Sequence, residues 1–258
     1  MNLNVSLVQP DLIWENTEKN LSRLEGLIMK ADDPKDLIIL PELFSTGFTM
    51  HTSSLAENME GPTILWLKKM ASALSCCITG SLIIKEGGNY FNRLVFMYPS
   101  GKFDVYDKRH LFRIGKEHQY YNPGTKKLIV EYKNWLIRPL ICYDLRFPVW
   151  SRNCMDYDIL IYVASWPESR KNVWEALLRA RAIENQCYVI GVNRIGKDGN
   201  QINHTGQSVV FDYKGNPILS LPENIETINS VILNKEELIQ FRSTFPVQLD
   251  ADKFTLII

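Results

Sequence analysis

The sequence has no excess of charge, no long apolar run and no cysteine pattern, and each absence excludes a class of protein. Its 29 basic and 29 acidic residues cancel, whereas binding to nucleic acid or anionic membranes depends on excess positive charge. No apolar run approaches the roughly 18 residues that a membrane span needs. The opening stretch MNLNVSLVQP also lacks the basic and apolar parts of a signal peptide. We therefore expect a cytoplasmic protein that binds neither nucleic acid nor a membrane.

The five cysteines form neither a CxxC pair nor the second pair that a zinc site requires. An odd number of cysteines in a chain too long to need disulfides favours free thiols. Cys76, Cys77 and Cys187 lie in apolar runs, and a buried free cysteine usually behaves as a small hydrophobe. We expect these three to fill the core.

Short, almost continuous apolar runs recur along the chain and predict strands that are buried on both faces. The eight runs span residues 5–8, 37–40, 78–84, 94–98, 136–141, 159–164, 188–192 and 209–211. Three other segments have apolar residues at helical spacing: one contains Leu21, Leu24 and Ile28, one opens at Pro62, and one covers residues 171–186. These patterns predict an α/β fold with two packed sheets or one large sheet.

No linker, repeat or low-complexity segment interrupts the chain, so we expect residues 1–258 to form a single domain. Glycines between β-rich stretches in EGGNYFNRLVFMYPSGK predict hairpins. The tail from about residue 238 has apolar residues with little regular pattern, and we expect it to lie at a subunit interface.

Glu42 and Cys142 each follow an apolar run directly, where a buried strand gives way to a loop. Open α/β sheets have their active sites at the carboxyl ends of such strands. Each residue alone also has an ordinary interpretation: Glu42 as a solvated loop residue, and Cys142 as another buried structural thiol.

Lys108 lies in VYDKRHLF after a third β-rich run. Considered alone, its ordinary interpretation is a charged side chain exposed to solvent. Together with Glu42 and Cys142, however, it completes a catalytic set. A thiolate attacks a carbonyl, a carboxylate accepts the thiol proton and returns it to the leaving amine, and an ammonium stabilises the oxyanion.

Three stretches, LPELFSTGF, YDKRHLF and PLICYDLRFPVW, resemble the signature segments of the nitrilase superfamily of carbon–nitrogen hydrolases. The Glu, Lys and Cys of its catalytic triad match Glu42, Lys108 and Cys142 in order and separation. The likeness extends from the first strand to about residue 220. It implies an α-β-β-α sandwich that pairs into a four-layer homodimer, and a reaction that uses neither a metal nor an organic cofactor.

Further site residues follow from the same resemblance. Glu117 in GKEHQYYNPG matches a second glutamate that contacts the triad lysine and helps to position substrate, although a surface carboxylate is its ordinary interpretation. We expect the backbone N–H of Tyr143 to form the oxyanion hole with Lys108.

The segments CYDLRFPVWSRN and SWPESRKNVWEALLRARAIENQ are most similar to the omega-amidase branch, which hydrolyses 2-oxoglutaramate and related amides of dicarboxylic acids. This resemblance implies that Arg146 binds the substrate carboxylate, a role that suits the two-pronged guanidinium group. The alternative is that Arg146 forms a structural salt bridge. Phe48 and Trp166 are expected to wall the pocket, unless they belong to the core.

Three other functions remain open from the sequence. The first is an N-carbamoyl amino-acid or aliphatic amidase of the same superfamily. The second is a non-catalytic interaction module, which could dispense with the triad. The third is a thiol protease, for which His204 is the candidate base downstream of Cys142. His110 and His118 lack the spacing of a helical metal site.

Overall fold

The computed structural model describes residues 1–31, 35–154 and 157–256. A first six-stranded sheet has the order β14-β1-β2-β3-β4-β5. Strands β1, β2 and β3 are parallel, and the remaining pairs are antiparallel. Its strands are β1 (Asn2–Gln9), β2 (Leu37–Ile39), β3 (Cys77–Glu86), β4 (Asn89–Met97), β5 (Phe103–Asp107) and β14 (Thr227–Asn234).

A second six-stranded sheet has the order β13-β12-β9-β8-β7-β6, with β7, β8 and β9 parallel. Its strands are β6 (Val130–Tyr132), β7 (Trp135–Ile141), β8 (Ile159–Ala164), β9 (Tyr188–Asn193), β12 (Val209–Phe211) and β13 (Pro217–Ser220). A separate hairpin pairs β10 (Ile195–Lys197) with β11 (Asn203–Thr205). All eight apolar runs lie in or overlap strands, so their prediction is confirmed.

The two sheets pack face to face, because Val5 and Leu7 of the first share one buried cluster with Ile137 and Ile159 of the second. Helices cover both outer faces. The α-helices of the described residues are α1 (Thr17–Met29), α2 (Thr52–Leu55), α3 (Pro62–Leu74), α4 (Pro148–Ser151), α5 (Lys171–Asn185) and α6 (Lys235–Thr244). The sandwich is therefore an α-β-β-α fold, and two sheets rather than one large sheet form its core.

Three of these helices confirm the helical spacings in the sequence. The apolar faces of α1 and α3 pack on the outside of the first sheet, and α3 begins at Pro62 as predicted. On the second sheet α5 approaches β9 so closely that a Cβ on Gly191 would lie 2.4 Å from a methyl carbon of Leu178. The predicted core cysteines, Cys76, Cys77 and Cys187, are fully buried.

The tail from about residue 238 begins inside a regular helix, although its sequence shows little regular pattern. Helix α6 runs through Thr244, and Asn234 caps it by accepting the backbone N–H groups of Glu236 and Glu237. Leu238 is buried in the chain's own core, and Arg242 forms a 3.0 Å ion pair with Asp158. This part of the tail therefore packs on its own subunit. Residues 257 and 258 of the tail lie outside the described part of the chain.

Several strands end at the same edge of the sandwich. Glu42 follows β2, Lys108 follows β5, Cys142 follows β7 and Ser165 follows β8. This common edge brings residues that are distant in sequence into one site. Within the described residues, no helix is both long and apolar enough to cross a membrane.

Candidate active site

Glu42 is fully buried and has a hydrogen-bond donor at each of its carboxylate oxygens. Oε1 accepts from Nζ of Lys108 at 2.7 Å and from Nδ2 of Asn92 at 2.8 Å. Oε2 accepts from the backbone N–H of Ser165 at 2.9 Å. These contacts fix the orientation of the carboxylate and rule out a solvated loop residue.

Lys108 is also buried, with 1% of its side chain exposed, and it lies between two carboxylates. Its ammonium is 2.9 Å from Oε1 and 3.0 Å from Oε2 of Glu117, in addition to its contact with Glu42. Burial lowers the pKa of Lys108, but the charges of Glu117 and Glu42 outweigh burial, and the net pKa is raised. The side chain therefore remains a cation at neutral pH.

Glu117 lies in a short 3₁₀ turn, Glu117–Gln119, and is fully buried rather than a surface carboxylate. Its Oε2 accepts the backbone N–H of Phe112 at 2.6 Å. Burial raises the pKa of Glu117, Lys108 lowers it and Glu42 raises it, with a net increase. Glu117 is thus the second carboxylate that contacts Lys108, and it ties the loop after β5 to the site.

Asn92 is a member of this cluster that the sequence did not reveal. It lies in the middle of β4 and is fully buried. Its Nδ2 donates to Oε1 of Glu42 at 2.8 Å and is 3.3 Å from Oε1 of Glu117. A neutral donor between two carboxylates reduces their repulsion without adding charge. The available signal was weak, because β4 also contains Asn89 and Arg93 and its apolar run begins only at residue 94.

Cys142 lies at a sharp elbow where β7 passes into the 3₁₀ helix Cys142–Arg146. Its φ angle is +43°, in the left-handed region that non-glycine residues rarely adopt. Such a conformation costs about 1–3 kcal/mol and concentrates at functional sites. Only 9% of Cys142 is exposed.

The thiol of Cys142 lies beside the Glu42 carboxylate. Burial raises the pKa of the Cys142 thiol well above its usual value, and the Glu42 charge raises it further, whereas Lys108 opposes both. The Cys142 side chain therefore rests as a neutral thiol beside a carboxylate. This pair resembles a nucleophile with its general base.

Asp144 fixes the turn at Cys142 through its hydrogen bonds. Its fully buried carboxylate accepts the backbone N–H of Ile141 at 3.1 Å, the phenolic hydroxyl of Tyr106 at 2.7 Å and the backbone N–H of His110 at 2.9 Å. The turn that carries the thiol is thereby joined to the segment that follows Lys108.

Glu42, Lys108 and Cys142 line a cavity of about 360 Å³. Its remaining wall is largely apolar and includes Phe48, Met50, Phe112, Trp166 and Ile202. The ring of the half-buried Phe48 lies 5.2 Å from Nζ of Lys108. Phe48 and Trp166 thus both line this cavity, and Trp166 also packs against Trp174 of the core at 5.4 Å.

Arg146 lines the same cavity, and its guanidinium lies 5.3 Å from the ring centre of Trp166. In the described part of the chain Arg146 has no carboxylate partner, which argues against the structural salt bridge. A guanidinium that faces a cavity without a counter-charge can bind an anionic group of a ligand.

The backbone N–H of Tyr143 is available at the start of the 3₁₀ helix that Cys142 opens. N–H groups in the first turn of a helix have no acceptor within that helix. Tyr143 also lines the cavity, with its ring packed edge-on against Phe112 at 5.1 Å. Because Tyr143 directly follows Cys142 in the chain, its backbone N–H lies close to Cys142, as a donor to an oxyanion formed there requires.

His204 lines the cavity but its hydrogen bonds do not make it a base for Cys142. Its Nδ1 lies 3.1 Å from the carbonyl oxygen of Ile202, and its Nε2 lies 3.3 Å from Oγ of Ser165. Burial lowers its pKa to about 4, and the nearby Arg194 contributes to the same decrease. The group beside the Cys142 thiol is Glu42 and not a histidine, which argues against the hypothesis of a thiol protease.

His110 and His118 do not line the cavity that contains Cys142. His110 stacks on Phe147 at 3.8 Å and contacts Asp144, whereas His118 is exposed. Residues 1–31, 35–154 and 157–256 contain no group of three or more His, Cys, Asp or Glu side chains that could hold a metal ion.

Comparison with known proteins defines the class to which this fold and site belong. The carbon–nitrogen hydrolase model matches residues 4–243. The chain therefore belongs to the carbon–nitrogen hydrolase family, as the resemblance in its sequence predicted, and it is a hydrolase of carbon–nitrogen bonds.

Individual relatives cover almost the whole chain. It is 42% identical to omega-amidase YafV of Escherichia coli strain K12, covering 98% of each chain, and 30% identical to 2-oxoglutaramate amidase of Bacillus subtilis, covering 98% of this chain and 99% of the other. Among solved structures, the CN-hydrolase superfamily protein XC1258 of Xanthomonas campestris superposes with a TM-score of 0.97 at 41% identity, covering 99% of both chains. These similarities confirm the nitrilase-type α-β-β-α fold.

Proposed function

We propose that this protein is an omega-amidase that hydrolyses the terminal amide of small dicarboxylic acid monoamides, such as 2-oxoglutaramate and succinamate, to the acid and ammonia. The observation that carries the proposal is the placement of the Cys142 thiol beside the buried Glu42 carboxylate, in a cavity that also contains Arg146. Arg146 pairs with no carboxylate among the described residues. The pair of Cys142 and Glu42 supplies the nucleophile and its base, and Arg146 selects a substrate with an anionic group.

In the acylation step Glu42 removes the proton from Cys142 while sulfur adds to the amide carbonyl carbon. The carbonyl electron pair moves onto oxygen, and Lys108 and the Tyr143 N–H stabilise this oxyanion. When the tetrahedral intermediate collapses, the carbon–nitrogen bond breaks and Glu42 returns the proton to nitrogen. Ammonia leaves, and the acyl group remains on Cys142 as a thioester.

In the deacylation step Glu42 removes a proton from water, and the resulting hydroxide adds to the thioester carbonyl. Collapse of the second tetrahedral intermediate breaks the carbon–sulfur bond and releases the carboxylic acid. The proton held by Glu42 returns to the sulfur of Cys142. Every proton transfer in this cycle uses Glu42, whose orientation is fixed by Lys108, Asn92 and Ser165.

Two facts support an omega-amide over other amides. Arg146 faces the cavity without a carboxylate partner among the described residues and offers a bidentate site for the substrate carboxylate. The relatives named omega-amidase and 2-oxoglutaramate amidase match this chain over almost its entire length. A neutral aliphatic amide or an N-carbamoyl amino acid would use the same triad, so the difference lies in the recognition of the far end of the substrate.

The test is ammonia release from 2-oxoglutaramate, succinamate, an N-carbamoyl amino acid, butyramide and glutamine by the wild type and by Cys142→Ala. We expect the first two substrates to be hydrolysed best and the variant to be inactive on all of them. Preference for the carbamoyl compound or butyramide would instead identify the alternative amidase classes. If the wild type released no ammonia from any of these amides, the result would favour a non-catalytic interaction module.

We further propose that the protein acts in the cytoplasm as a homodimer. The balance of 29 basic and 29 acidic residues argues against binding to nucleic acid or anionic membranes and so supports an enzyme of small molecules. Exposed apolar side chains near the helical layer, including Val149, Ile183 and Phe245, supply surface that a second copy could cover. Sedimentation at micromolar concentration distinguishes a dimer from a monomer.

A further inference from the structure

A second guanidinium, that of Arg170, faces the same cavity as Arg146. Arg170 ends the 3₁₀ turn Glu168–Arg170 and is half-buried. Its backbone is held on both sides: its N–H donates to the carbonyl of Pro167 at 3.0 Å, and its carbonyl accepts from Nε1 of Trp166 at 2.9 Å. The residue is thus fixed to the wall of the site.

The acidic residues around Arg170 have other partners. Asp198, which lines the same cavity, accepts the backbone N–H groups of Asn200 at 2.8 Å and Ile202 at 3.0 Å. Glu168 accepts a 2.6 Å hydrogen bond from Asn203, and Glu223 pairs with Lys171 at 3.1 Å. Over the described ranges, the Arg170 guanidinium forms no ion pair and no side-chain hydrogen bond. Its contact is with an aromatic face, since it lies 5.3 Å from the ring centre of Phe112.

Arg146 and Arg170 are held in the same manner. Each guanidinium lies over an aromatic wall of the cavity, Arg146 over Trp166 and Arg170 over Phe112, and each lacks a carboxylate among the described residues. Packing on a ring restrains a guanidinium while leaving its N–H edges free to donate. Both arginines are also more exposed than Cys142, so they lie nearer the solvent than the nucleophile.

From this geometry we infer that Arg170 is a specificity-determining residue that binds the substrate carboxylate together with Arg146. The inference rests on the proposed omega-amidase function and deepens it. One guanidinium satisfies two acceptor positions of a carboxylate, and the second satisfies the remaining ones, including an adjacent 2-oxo oxygen where the substrate has one. The pair therefore distinguishes an anionic amide from a neutral one of the same length.

The test compares kcat/KM for succinamate, 2-oxoglutaramate and neutral butyramide in the wild type and in Arg170→Gln. We expect kcat/KM for both anionic amides to fall at least tenfold, mainly through KM, because a hydrogen bond to a charged group is lost. The value for butyramide should change less than twofold. Arg170→Lys should give an intermediate loss, since lysine retains the charge but not the bidentate fork.

Arg113→Gln is the matched control. Arg113 is exposed and does not line the cavity. Its replacement therefore removes one positive charge, as Arg170→Gln does, without removing a hydrogen-bond donor from the cavity. Its ratio of anionic to neutral kcat/KM should stay at the wild-type value. A decrease as large as that of Arg170→Gln would mean that long-range attraction alone is responsible and would overturn the inference.

Binding without turnover gives a second readout. Calorimetry of succinamate with Cys142→Ala, with and without Arg170→Gln, should detect a tenfold or greater loss of affinity in the double variant. Equal affinities, or an equal decrease in kcat/KM for butyramide and succinamate, would overturn the role of Arg170 while leaving the omega-amidase proposal intact. Failure of the wild type to hydrolyse either anionic amide would overturn both.

Discussion

The backbone N–H of Ser165 donates a 2.9 Å hydrogen bond to Oε2 of Glu42, although the two residues are separated by 123 positions in the sequence. Ser165 follows β8 of the second sheet and Glu42 follows β2 of the first. The contact therefore joins the two sheets at the reactive end of the cavity. It fixes one carboxylate oxygen, and Lys108 and Asn92 fix the other.

Replacing Glu42 by glutamine should reduce kcat for succinamate by about 10²–10⁴-fold, because glutamine cannot accept the thiol proton. The amide has nearly the same shape, so KM should change little. Steady-state ammonia release measures both parameters, and a thermal melt verifies that the variant is folded. A kcat within threefold of the wild type would contradict the general-base role of Glu42.

The same substitution should lower the pKa of the Cys142 thiol. Burial and the Glu42 charge both raise this pKa in the wild type, and only the second contribution disappears in Glu42→Gln. Thiolate should therefore form at lower pH in the variant. Iodoacetamide labelling of the Cys142 peptide, followed by mass spectrometry across pH 6–10, should show the rise in rate at lower pH. A variant that labels more readily but hydrolyses more slowly would separate proton transfer from thiolate formation.

Asn92→Ala should remove the neutral donor between Glu42 and Glu117 and leave two carboxylates with less compensation. We expect kcat to fall by about tenfold or more, since a hydrogen bond to a charged group contributes about 1.5–3 kcal/mol. KM for succinamate should remain near its wild-type value, because Asn92 does not line the cavity. An increase in KM alone, with kcat unchanged, would assign Asn92 to substrate binding instead.

Gly124→Ala should disturb the position of Lys108. A Cβ at residue 124 would lie 2.1 Å from the backbone oxygen of Asp107, and the Gly124 N–H donates to the carbonyl of Lys108 at 2.9 Å. Relief of this clash moves the backbone next to Lys108, and a 1 Å displacement at a catalytic site can cost about 10²-fold in rate. Gly26→Ala is the control: no atom lies within 4 Å of its Cβ in α1, so its kcat should match the wild type.

His204 should make the protein less stable as the pH falls. Its folded-state pKa of about 4 lies below the unfolded value of 6.5, so the unfolded chain binds more protons between these values and stability decreases as the pH falls through that window. Between pH 7 and pH 5 this contribution is about 2 kcal/mol. Urea denaturation of His204→Gln should show a correspondingly smaller difference between the two pH values. The exposed His118, replaced in the same way, should leave the wild-type difference intact.

Elements that depend on local pattern were predictable from the sequence. Apolar runs located the strands, and Pro62 marked the start of α3. Helix α6 was missed because its apolar side chains are sparse, although Asn234 followed by Glu236 and Glu237 is a recognisable N-terminal signal.

The site was only partly predictable for a different reason. Glu42, Lys108 and Cys142 occur in recognisable motifs, and the fold brings them together. Asn92 looked like an ordinary strand residue because its contact with Glu42 depends on strand register and on the burial of both side chains. Arg170 likewise became a candidate only when the cavity wall was known and its guanidinium was seen to form no ion pair with the described residues.

The excess of carboxylate over ammonium in the buried cluster affects the end of the catalytic cycle. Glu42 and Glu117 share the single charge of Lys108, so the reactive end tolerates a neutral amide better than an anion. Hydrolysis of a proposed substrate converts that amide into a carboxylate beside Glu42, where little water screens the repulsion. The same charges that activate the thiol therefore expel the diacid, and we expect weak inhibition by product.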